Sequence, residues 1–325
     1  MYFTTKLSLT VTCKDLTSRA KRALIVIMQK LSHLENQSFE LLMKLFDSQV
    51  QPVVQYGAEL WGIYDAAIYC ENVHLFALKR FLRIGTKTPN DLVYAETNRY
   101  PICLNSVVRC IRYWLKLTSM DNKRLPKKAY NMLCDLDNRD KSNWASKIRL
   151  KLFSLGFGHV WLQQNVGNQQ QFVRTLRRRL IDCRWQEWTS HVESSDRFYL
   201  YRQLNLAHCI PAYLSIKMDR QFKYIMTKFR FGISDLLTHY YRYRKHRYSD
   251  LMCPLCKTSI DNEVHFVLCC PALNDLRERF IPAKYYRHPC LFRFILLMST
   301  TNEIIVKRLG LFLYRAFKIR SILTS

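Results

Sequence analysis

The sequence predicts a mostly α-helical protein, in which a helical bundle is followed by a helical connector and a small zinc-knuckle-type module with Cys and His ligands. Three observations support this fold class. Apolar residues recur at helical spacing along most of the 325 residues. Only 8 Gly and 9 Pro are present, which argues against an all-β protein built from many tight turns. Hydrophobic residues make up 49% of the chain, enough for a sizeable core rather than a disordered chain.

The first third of the chain is predicted to form a series of helices. Leu16, Ala20 and Leu24 lie at helical spacing in the first of them. Pro52 kinks or restarts the second, and residues 53–62 are almost wholly apolar, as expected of a segment inside a bundle. The predicted helices cover residues 15–33, 38–50, 53–62, 71–84, 88–98 and 104–117.

Residues 119–143 are polar and charged, and we predict a linker and a domain boundary there. The next helix begins near Asn143 and ends at Gly156. A long basic helix follows over residues 171–191. Amphipathic helices are predicted over residues 217–231 and 303–319.

The charge balance indicates a polyanionic partner. Lys and Arg number 51 against 25 for Asp and Glu, which gives a net charge of +26. Nucleic acid is the first candidate partner and an anionic membrane surface the second. We expect no membrane span, because no run reaches the ~18 apolar residues that a transmembrane helix needs. The 12 Cys are scattered without a disulfide framework, which is typical of an intracellular protein of the nucleus or cytoplasm.

One cluster of Cys and His residues predicts a structural metal site. Cys253 and Cys256 are separated by two residues, and His265 follows nine residues after Cys256. Three thiolates and one imidazole suit Zn²⁺, and four protein ligands leave no open position for a substrate. The fourth ligand is Cys269 or Cys270. Cys269 shares a helix face with His265, whereas Cys270 precedes a proline that would break the helix and turn it towards the metal; we favour Cys270.

Two basic stretches are candidates for nucleic-acid contact. The helix over 171–191 carries Arg177, Arg178 and Arg179. A solvated charged face is the more usual explanation of one such helix, but the chain-wide positive charge favours phosphate contact. Residues 240–248 interleave arginines with tyrosines, so that cations can hold phosphates while rings stack on bases. The candidate contact residues of these stretches are Arg177, Arg178, Arg179, Arg242, Arg244, Lys245 and Arg247, and Arg230 of the predicted helix over 217–231 is a further candidate.

Three stretches in this order resemble the C-terminal part of reverse transcriptases from non-LTR (LINE-type) retrotransposons. The first contains Tyr56-Gly57-Ala58-Glu59-Leu60-Trp61-Gly62. The second contains Thr88-Pro89-Asn90, Tyr94-Ala95-Glu96 and Arg99-Tyr100-Pro101. The third contains Lys228-Phe229-Arg230-Phe231-Gly232, Cys253-Pro254-Leu255-Cys256 and Glu263-Val264-His265, and ends on Cys269-Cys270-Pro271.

The resemblance implies a division of the chain and a partner. Residues 1–118 would be a thumb-like region after a missing palm, 119–143 a charged linker and 144–248 a basic helical connector. Residues 249–282 would be the zinc-binding module and 283–325 the C-terminal helices. The Cys immediately before Pro271 would be the fourth ligand. RNA or DNA would be the partner, together with a missing N-terminal polymerase part, and neither a membrane nor a small-molecule substrate is expected.

Catalysis by this chain itself is not expected. The family polymerises with paired palm aspartates, and no Asp-Asp pair occurs in this sequence, which would begin just after the palm. His191, Cys209 and His239 have no spacing that assembles a nucleophile with its base. The alternative hypothesis is a zinc-stabilised protein-interaction module whose basic residues only keep the chain soluble.

Overall fold

The computed structural model describes residues 9–32, 38–195, 198–204, 209–241 and 247–324. Within these ranges the chain is mostly helical and contains no β-strand, only the isolated antiparallel bridge between Met252 and Ile260. The predicted fold class is therefore confirmed, including a Cys/His group that could hold a metal ion. None of the helices in these ranges is both long enough and apolar enough to cross a membrane.

The helices follow one another closely along the described ranges. In the first half they are α1 Thr10–Ser32, α2 Phe39–Leu45, α3 Gln51–Val54, α4 Ala58–Trp61, α5 Ala67–Leu82, α6 Asn90–Thr97, α7 Ile102–Thr118, α8 Leu125–Asp137, α9 Trp144–Ser154 and α10 Gly158–Gln163. In the second half they are α11 Gln169–Glu193, α12 Tyr199–Leu204, α13 Ala212–Ser215, α14 Arg220–Arg230, α15 Leu237–Tyr240, α16 Asn274–Phe280, α17 Ala283–Tyr286, α18 Leu291–Met298 and α19 Glu303–Thr324. Single π-helical turns cover Phe46–Val50 and His265–Cys269, and Pro52 lies in the first turn of α3, as the predicted restart requires.

The chain forms two compact units that alternate along the sequence. The first unit comprises Met1–Lys30, Lys44–Ala77 and Tyr100–Trp188. The second comprises Leu31–Met43, Leu78–Arg99 and Thr189–Ser325. The predicted consecutive domains do not correspond to these units, because residues far apart in sequence pack together within each one.

The core of the first unit is built around tryptophans of α7, α9 and α10. The ring of Trp114 stacks on that of Trp161 with centroids 5.8 Å apart. Its indole N–H donates to the Tyr130 hydroxyl at 2.9 Å, and that hydroxyl donates to Gln164 Oε1 at 2.5 Å. These buried polar groups are therefore satisfied, as a buried indole requires.

The stretch 119–143, predicted as a charged linker, contains a helix that packs in the first unit. Residues 125–137 form α8, whose Tyr130 is buried in the core of the first unit. Asp137 accepts hydrogen bonds from Arg149 Nε at 2.7 Å and from Nη2 at 3.0 Å. Tyr130, Leu133 and Cys134 face the core while Lys128 and Asp135 are exposed, so the polar composition of the stretch concealed one apolar face.

Close backbone packing explains several residues around α4. Gly57 has φ of +66°, a left-handed conformation that glycine adopts without strain. A Cβ on Gly62 would lie 2.6 Å from the Ser106 Cβ and 2.6 Å from the Ala58 carbonyl oxygen. The indole of Trp61 is fully buried and donates to the Tyr56 carbonyl at 3.0 Å. The residues of this motif thus hold α4 against α7 within the first unit.

Aromatic packing forms the core of the second unit beneath the Cys/His segment. The Phe229 ring of α14 has the rings of Phe266, Phe294 and Phe317 around it at centroid distances of 6.3, 6.2 and 6.1 Å. Phe266 lies between the candidate ligands in sequence and packs on Phe317 of α19 at 4.7 Å. The Cys/His segment is therefore anchored to α14 and α19 through one buried ring.

Candidate metal centre

The structure brings together the four residues favoured as ligands. The ligand atoms of Cys253, Cys256, His265 and Cys270 all lie within 4.8 Å of one another. Cys253 Sγ is 3.9 Å from Cys270 Sγ, and Cys256 Sγ is 3.3 Å from His265 Nε2. A Cys₃His group of this compactness could hold a metal ion.

A short closed loop positions the first two thiols. The backbone bridge between Met252 and Ile260 closes the loop, and the Cys253 N–H donates to the Ser259 carbonyl at 2.8 Å. The Lys257 N–H donates to the Cys253 carbonyl at 2.8 Å, and Lys257 itself has φ of +59°. This turn sets Cys253 and Cys256 on one side of the loop, facing His265.

The choice between Cys269 and Cys270 is decided by the end of the π-helical turn. Cys270 leaves the helical region at φ −55° and ψ 118°, as the following proline requires, and its N–H still donates to the His265 carbonyl at 2.7 Å. Its side chain is fully buried in the ligand group, whereas Cys269 is exposed and lies outside that group. The structure therefore places Cys270 rather than Cys269 in the group that could hold a metal ion.

Arg277 of α16 supports the centre from behind and was not found from the sequence. It is 2% exposed, and its Nη2 donates to the Cys270 carbonyl at 2.6 Å. Its Nε donates to the Val267 carbonyl at 2.9 Å, and its Nη1 to Asn274 Oδ1 at 2.8 Å. Desolvation lowers the pKa of this guanidinium. The only indication of this role in the sequence is that an arginine occurs in the helix that follows Cys270.

Three further polar contacts tie the Cys/His segment to other helices of the second unit. The Asp261 carboxylate accepts from Arg320 Nη2 at 2.6 Å and from the Leu237 N–H at 2.7 Å. Burial raises the pKa of Asp261, although Arg320 opposes that shift. His239 Nε2 lies 2.7 Å from Glu263 Oε1. These contacts connect the segment to α15 and α19.

The electrostatics of the group favour negative charge on Cys253 and on Cys256. Burial opposes the shift at Cys256, but hydrogen bonds with Thr258 lower its pKa. The hydrogen bond between the thiols of Cys253 and Cys270 lowers the pKa of Cys253 to about 3 and raises that of Cys270. The same Cys253 raises the pKa of His265. A metal ion would replace these protons, since only thiolates and a neutral imidazole coordinate it.

The candidate nucleic-acid residues fall into three groups. Arg177, Arg178 and Arg179 are exposed on α11, and Arg247 is exposed as well. Arg242, Arg244 and Lys245 lie outside the described residues. Arg230 is 2% exposed, so its assignment to a nucleic-acid surface is wrong.

Arg230 instead forms a buried ion pair. Its Nε and Nη2 donate to the two Glu96 carboxylate oxygens at 2.6 and 3.2 Å. The hydroxyl of Tyr213 donates to the same carboxylate at 2.7 Å and that of Tyr201 at 3.0 Å. Arg230 Nη1 donates to the Met298 carbonyl at 3.2 Å. Burial raises the pKa of both tyrosines well above their ordinary value, so they remain donors.

No family model, curated protein or solved structure matches this chain. Fold and site therefore define it as a mostly helical protein with a Cys₃His group that could hold a metal ion.

Proposed function

We propose that this chain is the nucleic-acid-binding C-terminal part of a retrotransposon reverse transcriptase, without a polymerase site of its own and with a structural zinc ion. The observation that carries the proposal is the convergence of the Cys₃His group. The four residues of that group belong to the third of the stretches that resemble the family. Template, primer duplex or target DNA would be the ligand.

The geometry supports zinc as the metal. Two sulfurs at about 2.3 Å from a tetrahedral zinc ion lie about 3.8 Å apart, and a sulfur and an imidazole nitrogen about 3.6 Å. The corresponding distances are 3.9 Å between Cys253 and Cys270 and 3.3 Å between Cys256 and His265. When bound, the ion would cross-link the loop at Cys253 to the turn that ends at Cys270, and contribute folding free energy there.

Charge supports nucleic acid as the partner. The chain carries a net charge of +26, which would repel itself in a compact protein and is relieved by a polyanion. Arg177, Arg178 and Arg179 add three exposed cations within one turn of α11. Phosphate contact by such residues would supply affinity without sequence preference.

The metal is tested by measuring zinc per chain with inductively coupled plasma mass spectrometry. We expect one zinc ion in the full chain and in Cys269→Ser, and none in Cys270→Ser. The two variants remove neighbouring thiols, of which only one belongs to the Cys₃His group, so they form a matched pair. Equal zinc content in both variants would refute the proposed ligand set.

The partner is tested by fluorescence anisotropy with a labelled single-stranded RNA and an RNA–DNA duplex across a salt series. Affinity should fall by ~0.7–0.9 log units per phosphate contact for each tenfold rise in salt. Arg177→Gln, Arg178→Gln and Arg179→Gln together should flatten this slope, while the exposed set Lys123→Gln, Arg124→Gln and Arg139→Gln serves as control. Salt-insensitive binding would contradict the proposal.

A second candidate follows if neither nucleic acid binds. The neighbouring residues Ile322 and Leu323 at the end of α19 are 66% and 63% exposed. An exposed apolar pair at one helix end favours a zinc-stabilised protein-interaction module. Loss of binding to a partner after Ile322→Ser and Leu323→Ser, with zinc retained, would support that function.

A further inference from the structure

A surface groove of about 480 Å³ lies in the first unit between α7 and the start of α11. Arg112 projects from α7, and Arg174 and Arg177 project from α11; we call them the groove arginines. Gln169 and Gln170 complete the polar lining. The volume falls within the range of small-ligand sites, about 300–1,000 Å³.

The floor of the groove is apolar and fixed. Leu115 and Val173 form it, and they are 2% and 7% exposed. Both belong to the core that joins α7 to α11 within the first unit. Because the two helices are held by this core, a ligand has only the polar side chains of the groove to order, which keeps the entropic cost of binding small.

No carboxylate among the described residues neutralises the groove arginines, which are all exposed and form no ion pair within the described ranges. Other arginines of the same helices do have acidic partners. Arg109 lies 3.7 Å from Glu59, and Arg184 lies 3.1 Å from Glu187. Three unneutralised guanidinium groups around one groove repel one another, and an anion bound between them would relieve that repulsion.

We infer that the groove binds consecutive phosphate groups, the chemistry shared by a nucleic-acid strand and by free polyphosphate. Guanidinium groups grip phosphate oxygens through two parallel N–H donors. Arg174 and Arg177 are three residues apart and share one face of α11, while Arg112 approaches from the other helix. The two glutamines can donate to further phosphate or sugar oxygens. The inference that a nucleic-acid strand supplies these phosphates rests on the proposed function. The inference that the groove binds phosphate does not.

The test compares two double variants of the full chain. The groove variant is Arg112→Gln with Arg174→Gln, neither of which carries the proposed function above. The control is Arg124→Gln with Arg139→Gln, which removes the same charge from exposed positions of the same unit, outside the groove. Binding is measured with tripolyphosphate by calorimetry and with a labelled single-stranded RNA by anisotropy. Thermal unfolding should be unchanged, as for other exposed substitutions.

Removing two phosphate-binding arginines should weaken RNA binding by roughly 10–30-fold at about 0.1 M salt, while the control changes little. That result supports the groove with a strand as its ligand. Loss of tripolyphosphate binding alone also supports the groove, with free polyphosphate as the ligand, even if the chain binds no RNA. If the groove variant binds both probes with the same affinity as the control variant, the inference is overturned. Salt-dependent RNA binding by the chain would in that case still support the proposed function. If the unmodified chain binds neither probe, both fail.

Discussion

Replacing Arg230 by Met should destabilise the second unit strongly, because it leaves the Glu96 carboxylate buried without its cation. Glu96 is 0% exposed, and Arg230→Met removes two charge-assisted hydrogen bonds of 2.6 and 3.2 Å. Breaking a buried ion pair by removing one partner costs about 3–5 kcal/mol. The hydroxyls of Tyr201 and Tyr213 remain as donors and offset part of that cost.

Proton uptake sets an upper limit on the destabilisation. A carboxyl group of ordinary pKa about 4.3 can be kept protonated at pH 7 for about 3.7 kcal/mol, and the folded variant can adopt this neutral form. The expected loss in the free energy of unfolding is therefore about 3–4 kcal/mol at pH 7. A protonated carboxyl in the folded state binds a proton that the unfolded chain lacks, so the loss should shrink by about 1.4 kcal/mol per pH unit on acidification towards pH 5.

The assay has to report on the second unit alone. All six Trp of the chain lie in segments of the first unit, so tryptophan fluorescence would miss the effect. Hydrogen–deuterium exchange of amides in α6 and α14 measures the opening free energy where the pair lies. Arg230→Met with Glu96→Gln is the control, since it removes both charges and should be nearly independent of pH. A loss below about 1 kcal/mol, or one equal at pH 5 and pH 7, would refute the reasoning.

Three other predictions follow from the same structure. Arg277→Met should weaken zinc retention about 10–100-fold in a chelator competition, because Arg277 donates a hydrogen bond to the Cys270 carbonyl. Unchanged retention would show that this hydrogen bond is dispensable. Gly62→Ala should lower the thermal midpoint of the first unit by several degrees, corresponding to about 1–3 kcal/mol, because the added Cβ would lie 2.6 Å from the Ser106 Cβ. A midpoint equal to that of the exposed control Ala129→Ser would contradict this prediction. Burial lowers the pKa of Lys223 to about 8, and its Nζ donates to the Leu214 carbonyl at 3.0 Å. Between pH 8 and about 10.4 the unfolded chain therefore binds more protons, so stability should rise with pH in the wild type relative to Lys223→Met, and parallel pH profiles in urea denaturation would argue against it.

Features that depend on near neighbours in the chain could be predicted from the residues alone. The helices over 104–117 and 303–319 appear within a few residues of α7 and α19, because helical periodicity is a local property. The four favoured ligands could also be predicted from the sequence, because the pairs Cys253–Cys256 and His265–Cys270 are each brought together by a short turn. The proline after Cys270 explained why the later Cys of the two joins the group.

Contacts between distant segments of the chain became evident only from the packing within each unit. Arg230 and Glu96 are separated by 134 residues, so nothing near either residue indicated that the arginine was buried rather than exposed. Residues 125–137 look like a linker in composition, yet Tyr130 carries them into a core with Trp114. The two units alternate along the chain for the same reason. The charge and polarity of a residue follow from its type alone. Whether it is buried depends on the residues that pack against it, and those contacts are set by the packing of the whole unit.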